Sequence, residues 1–432
     1  MIALAGAAGA AVVPLGAALI AKRAASARAA RRVASAGMLV AFASALAASV
    51  ATGGGERASV PVLIAAIGLV AVVMSPLGGA TPRTFARILL VVGGTAAIVV
   101  TDVPVALALG WIGSIVPAWL ELRSRRETRP SARAFAAYLV PSAALVTLGA
   151  LLASTGLPPA YGLLALAAGL AIREAILPAH GWLPRFVEQA PMGLVVAFVA
   201  PQIGVFAHLR WLAGRLAPEV DLVLAVLAAL TVVSAALLAV VQRRARRALG
   251  YFFVSQSALV AFGLDGDDVV GRSGAVLAWW TCGLATAGFA MTLAALEARR
   301  GALSLEHAGR SARQVPLLAT AYVVLGLASV GLPGTLGFIA EDLLVSGAVH
   351  EHPVLAFALV VGTALNGITV ARGFFTLFAG ARAPVGERDL TLRERSVLTA
   401  LVAALLVAGV WPSGPVRWLG LAEPPPAAAS TR

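Results

Sequence analysis

The chain has 432 residues, is 60% hydrophobic and only 12% charged, and carries a formal net charge of +13 with a mean hydropathy of +0.91. A water-soluble globule of this length cannot hide that much apolar surface. Lack of alternating polarity excludes a membrane β-barrel, and the single cysteine, Cys282, excludes an intrachain disulfide or a thiolate metal cluster.

Apolar runs recur from end to end, each within the roughly 17–25 residues needed to cross a ~30 Å hydrocarbon core. The first, "MIALAGAAGAAVVPLGAALI", has its basic cluster after the run, whereas a secretory leader has its positive charge before it. It therefore reads as a retained first span. The predicted spans are 3–21, 33–52, 60–78, 86–101, 103–121, 134–155, 160–178, 193–213, 221–242, 249–264, 273–297, 315–347, 353–379 and 395–412. The chain is thus expected to be an all-α polytopic membrane protein with about 14 transmembrane helices in one integral membrane domain.

The loops test this reading. Of 33 basic residues, 25 fall in loops after odd-numbered spans, 5 on the opposite side, and Arg173, Arg210 and Arg372 lie in or beside spans. The positive-inside rule then puts the basic loops in the cytoplasm and both termini outside, in an inner (cytoplasmic) membrane. The net charge is therefore a topology signal, and no nucleic-acid partner is expected. No Gly-rich phosphate loop, nucleophile elbow or His pair at helical spacing occurs, so no cofactor or metal is expected on this chain. Trp111, Trp182, Trp211, Trp411 and Trp418 sit near predicted span ends and read as an aromatic belt. The tail "EPPPAAASTR", within 420–432, reads as disordered.

Two spans are broken. "REAILPAHGWLP" interrupts the seventh and "GLPGTLGFIAEDLL", residues 331–344, the twelfth. Irregular backbone at membrane depth survives only where it is buried in protein or lines a cavity. Charge stands beside both breaks: Arg173 and Glu174 at the first, Glu341 and Asp342 at the second. Two such breaks five spans apart point to inverted five-helix repeats, 86–213 and 221–379, after N-terminal helices in 1–85 and before a last helix at 395–412. The plainer alternative is that the prolines are packing kinks and the charges meet interfacial water. Glu174 either neutralises a buried arginine or titrates on an ion path. His180 and His208 are candidates because imidazole changes charge near physiological pH, and both also suit interfacial positions. Glu341 and Asp342 are neighbours on a helix, about 100° apart, so one lines a path while the other faces elsewhere.

These stretches resemble a known family. "HGWLPRFVEQAP", "RRARRALGYFFVSQSALVAFGL", "LASVGLPGTLGFIAEDLL", "ARGFFTLFAG" and "DLTLRERSVLTALVAALLVAGVWPS" are similar to signatures of the antiporter-like, proton-conducting membrane subunits of respiratory complex I, most of all chain M (subunit 4). Related members serve multi-subunit sodium/proton antiporters, membrane hydrogenases and inorganic-carbon uptake complexes. The resemblance covers about residues 100–415. It implies a line of buried ionisable groups at mid-membrane, partner membrane subunits of the same kind, and a soluble arm that carries the chemistry.

The chain departs from the family at the groups that matter. Its one lysine, Lys22, lies in a loop. The family's helix-seven lysine position holds Arg173, which stays protonated with a pKa above ~12 and is a poor carrier. The helix-five glutamate position falls on Ile112, the helix-eight lysine position on Gln202, and the helix-eleven histidine position on Cys282. Glu341 keeps the family's acidic type, and Arg372 matches a family arginine expected to pair with Glu341 or Asp342. Three readings follow: a rewired proton path through Glu174, His180, His208, Glu341 and Asp342; a non-conducting structural or coupling subunit; or a path for another ion. The resemblance implies a proton-translocating or coupling subunit of a complex I-like NADH:quinone oxidoreductase. The alternatives are an inorganic-carbon (CO2/bicarbonate) uptake or Na+/H+ antiporter subunit, or a silent scaffold.

Overall fold

The computed structural model describes residues 2–100, 103–152, 159–265, 268–307, 311–380 and 386–421. In chain order the helices are α1 (Ile2–Lys22), α2 (Ala27–Ala51), α3 (Glu56–Met74), α4 (Pro82–Val100), α5 (Pro104–Arg123), α6 (Arg129–Leu152), α7 (Pro159–Arg173), α8 (Trp182–Gln189), α9 (Met192–Val199) and α10 (Ile203–Trp211). They continue with α11 (Pro218–Val241), α12 (Ala245–Phe262), α13 (Val269–Arg300), α14 (Pro316–Ala328), α15 (Leu336–Glu351), α16 (Pro353–Phe378), α17 (Leu392–Val410) and α18 (Ser413–Leu419). The described residues contain no strand beyond two isolated bridges, Arg244 to Ser304 and Ser311 to Ala379. Helix is what lipid demands, because each segment satisfies its own backbone there.

Each predicted span overlaps one or more of the described helices. By length and composition, nine described helices qualify to cross a membrane, or ten if the bent pair α17–α18 counts as one. The chain is an integral multi-pass membrane protein. Helix ends overrun the predicted spans: α2 begins at Ala27 rather than 33, and α13 runs to Arg300 rather than 297. Hydropathy ends at the hydrocarbon edge, but hydrogen bonding continues until a cap stops it. Ser26 accepts from Ala29 N at 3.2 Å, Asp268 accepts from Gly271 N at 2.8 Å, and a Thr391–Glu394 capping box starts α17.

Both predicted breaks are present, at 174–181 and 329–335. A third, which the sequence reading did not anticipate, splits span 193–213 between α9 and α10. Pro201 removes an amide donor there, and Gln202 adopts φ +42.

Small residues set the packing, as expected where lipid tails are as apolar as the helices. An added Cβ at Gly94 would lie 2.7 Å from backbone atoms of Gly113 and Ser114, so α4 and α5 meet backbone to backbone. Gly271 and Gly347 do the same for α13 and α15. In the most apolar stretch of α13, 94% is buried, so this helix runs through the interior. Exposed apolar residues such as Val140, Leu237 and Phe375 lie on α6, α11 and α16.

Two tryptophans depart from the aromatic-belt expectation. Trp111 and Trp182 are fully buried, because each indole N–H finds a partner inside: Ser142 Oγ at 3.1 Å and Ile172 O at 3.0 Å. Trp411 is 64% exposed and fits a belt.

Candidate functional site: a buried polar line between helix breaks

The first cluster gathers where α7 ends. The Arg173 guanidinium is buried between two aromatic faces, 4.8 Å from the Trp111 ring centroid and 4.1 Å from that of Phe198. Cation–π contact replaces part of its lost hydration. Its Nη1 donates to Ser114 Oγ at 3.0 Å, while Nη2 has no protein partner. No carboxylate lies within 4.0 Å of it among the described residues. Arg173 is a fixed positive charge in an aromatic sleeve.

Glu174, the next residue, turns a different way. Its Oε1 accepts from Gly204 N at 2.9 Å, and its Oε2 accepts from the Ser257 hydroxyl. The carboxylate therefore sits on the amide end of α10, where the helix dipole favours negative charge. Glycine at 204 lets the carboxylate take this seat, because a Cβ there would overlap Glu174 Oε1. Of the two readings of Glu174, neutralisation by direct contact with Arg173 is not what the structure shows: no ion pair joins them, and each side chain has its own partners.

The break at 200–202 joins these compartments. Phe198 before it covers Arg173, and Gly204 after it holds Glu174. Gln202 is buried in the break with Oε1 unpartnered. Trp279 on α13 pins the break by donating to Pro201 O at 2.8 Å.

From Glu174 the polar line enters α12, where Ser255, Gln256 and Ser257 interrupt an apolar helix. Ser257 reaches Glu174. Gln256 Oε1 accepts from Cys282 Sγ at 3.1 Å, and Ser255 Oγ accepts from Asn366 Nδ2 at 2.8 Å. Three consecutive residues thus reach the break after α7, then α13 and α16. Gln256 Nε2 and Asn366 Oδ1 are buried without protein partners. Cys282 Sγ also lies 3.8 Å from Ser329 O, at the mouth of the 329–335 break. Glu341 reaches the same break from α15. Its carboxylate lies against Gly331, whose φ of +78 and lack of a Cβ leave it room, and its Oε1 is buried and unpartnered.

A side branch leads away from Glu174. A cavity of about 40 Å³ is lined by Glu174, Gly204, His208 and Asp265, among others. That volume accommodates about two or three waters. At its far end His208 Nε2 lies 3.7 Å from Asp265 Oδ1.

The predicted residues therefore sort into groups. Arg173, Glu174, Gln202 and His208 cluster at one break; Cys282 and Glu341 meet at the other. His180 sits apart on the 3-10 turn Ala179–Gly181 with Nδ1 buried and unpartnered. Asp342 is exposed. Arg372 does not pair with Glu341 or Asp342. It donates to Val240 O, Gln242 O and Leu305 O at 2.6, 2.9 and 3.1 Å, because α16 brings it to the end of α11, where orphan carbonyls need donors. Ile112 is 40% exposed while its neighbours Trp111 and Ser114 are buried. Ser257, Gln256, Asn366 and Asp265 were not singled out in the sequence; the polar triplet in an apolar span was the available signal for the first two.

Residues 157–366 match the family model described as "NADH:quinone oxidoreductase/Mrp antiporter, TM". NADH-quinone oxidoreductase subunit M of Mycobacterium tuberculosis is 31% identical over 250 residues, covering 56% of this chain and 45% of that protein. The chain spans about half the length of the curated relatives it matches. Among solved structures, a chain of respiratory complex I from Thermus thermophilus with bound NADH superposes with a TM-score of 0.85 at 23% identity over 97% of both chains. A chain of the Mrp complex from Dietzia sp. also reaches 0.85, at 18% identity over 98% of this chain and 97% of that one. At these identities the likeness establishes the fold.

Proposed function

We propose that this chain, whose residues 157–366 match the NADH:quinone oxidoreductase/Mrp antiporter family model, translocates protons as one membrane subunit of a larger redox-driven assembly. Homologous membrane subunits and a soluble arm would be its partners, with the redox chemistry on the arm. The observation that carries the reading is a set of buried polar contacts between two helix breaks: Ser257 on Glu174, and Gln256 on Cys282, which lies beside the break that Glu341 also reaches. Glu174 and Glu341 are its proton-holding groups, and the amides, hydroxyl and thiol between them orient water. Arg173 holds no mobile proton and is a fixed charge beside the path. The branch past His208 and Asp265 is the route between Glu174 and the outer face. Inverted repeats over 86–213 and 221–379 and cytoplasmic basic loops complete the proposal.

The test is Glu174→Gln in the native assembly, followed by dye-monitored proton uptake in inverted membrane vesicles. Lost pumping with intact assembly supports the reading, and unchanged pumping removes Glu174 from the path. A second reading, a coupling subunit that conducts nothing, is favoured by the placement of the only lysine, Lys22, at the end of α1. It predicts that neither Glu174→Gln nor Glu341→Gln alters pumping.

A further inference from the structure

The face that carries most of the arginines holds a cavity that the polar line does not use. Its volume is about 640 Å³, inside the roughly 300–1,000 Å³ typical of small-ligand sites. Four arginines from four separate parts of the chain line it: Arg31 on α2, Arg125 just after α5, Arg246 on α12 and Arg393 on α17.

The two carboxylates that also line it are already engaged. Glu297 accepts from Arg246 Nε with both oxygens, at 2.9 and 2.8 Å. Glu394 accepts from Arg299 at 2.7 Å and from Thr391 N at 2.9 Å. Arg393 approaches Glu394 only to 3.9 Å, and its Nη1 is buried with no protein partner. Arg31 makes one bond, to Ser75 O at 3.3 Å. Neither Arg31 nor Arg125 has a carboxylate within 4.0 Å among the described residues.

Four guanidinium groups against two carboxylates leave two positive charges facing one space. Like charges held together by helix packing are relieved by an anion between them. The opening residues of α9, Met192 and Gly193, line the same space and add the positive end of a helix dipole. Gly193 lets that end press against α3, since a Cβ there would lie 2.7 Å from Ala71 O.

We propose that this cavity binds a phosphate-type anion, held chiefly by Arg31 and Arg393, as a phospholipid headgroup or as free phosphate. Guanidinium forks match phosphate oxygens two at a time. The proposal does not depend on proton movement.

The test uses the full-length chain, delipidated in neutral detergent, with thermal unfolding as readout. One arm titrates inorganic phosphate against chloride at equal ionic strength. The other compares vesicles of phosphatidylglycerol and phosphatidylcholine with phosphatidylcholine alone. Saturable stabilisation by phosphate assigns a free anion, and stabilisation only by phosphatidylglycerol assigns a headgroup. In either case Arg31→Gln/Arg393→Gln weakens half-saturation by about tenfold or more. Arg243→Gln, at a side chain 81% exposed, leaves it unchanged. If the double glutamine variant does not fold, Arg31→Lys/Arg393→Lys decides, because it keeps the charges and loses the forks. Weaker binding by that variant supports the site, and unaltered binding overturns it. Absence of saturable stabilisation in both arms, or equal loss in Arg243→Gln, also overturns the proposal.

Discussion

Gly204→Ala tests the seat of the Glu174 carboxylate. The new Cβ would overlap Oε1 and lie 2.7 and 2.8 Å from Cγ and Cδ of Glu174. Carbon atoms rest at about 3.5–4.0 Å, so the carboxylate has to retreat by about 1 Å. Retreat breaks the 2.9 Å bond from Gly204 N and disturbs the bond from Ser257. A hydrogen bond to a charged group is worth about 1.5–3 kcal/mol, which is about 10- to 100-fold at 1.4 kcal/mol per decade. Position 204 lies within α10, where alanine is a better helix former than glycine by about 1 kcal/mol. Loss of local helix therefore does not explain a defect. The assay is proton uptake in vesicles containing the assembled complex, with a melt of the purified variant alongside. The expected result is pumping reduced about 10- to 100-fold with assembly intact. Adding Glu174→Asp, one methylene shorter, restores part of it. Pumping within twofold of the parent, or a Gly204→Ala defect that Glu174→Asp deepens, refutes the steric argument.

Three further outcomes are expected. Arg300 and Glu387 form a buried two-pronged ion pair at 2.7 and 3.0 Å, so Arg300→Ala strands a carboxylate and costs about 3–5 kcal/mol in unfolding measurements; Arg300→Met/Glu387→Leu costs less. Asp342→Asn, at an exposed position, changes stability by no more than about 0.5 kcal/mol and leaves vesicle pumping intact. Burial, followed by the neighbouring Asp221, pushes the Asp265 carboxyl well above its ordinary range. The folded state then binds more protons than the unfolded state, so stability falls as pH rises from the unfolded carboxyl pKa of about 4 toward the raised value. Asp265→Asn flattens that fall in melts taken across pH and is the more stable protein at neutral pH.

Membrane class, helical fold and two of the three breaks were legible, because each rests on a local rule. Apolar length marks a span, and Gly-Leu-Pro-Gly or Leu-Pro beside charge marks a break. The third break was written in Ala200–Pro201–Gln202, but Gln202 drew attention as a substituted carrier position rather than for its backbone. The middle of the polar line was harder to see. Ser257, Gln256 and Asn366 carry no charge, and only the packing of α12 beside the 174–181 break, α13 and α16 gives them partners. Arg372 went astray for the same reason. Its nearest acceptors are carbonyls at the end of α11, and backbone acceptors leave no mark in side-chain spacing. Trp111 looked like a belt residue by its place near a span end, and became a lid on Arg173 once α5 met α7.

The central claim is that protons pass between Glu174 and Glu341. The most direct measurement is the number of protons pumped per electron by the intact complex in vesicles, with Glu341→Gln beside the parent and electron transfer recorded in the same sample. The account predicts a lower ratio with assembly and electron entry preserved. An unchanged ratio would contradict it and leave this chain a coupling element with a polar core.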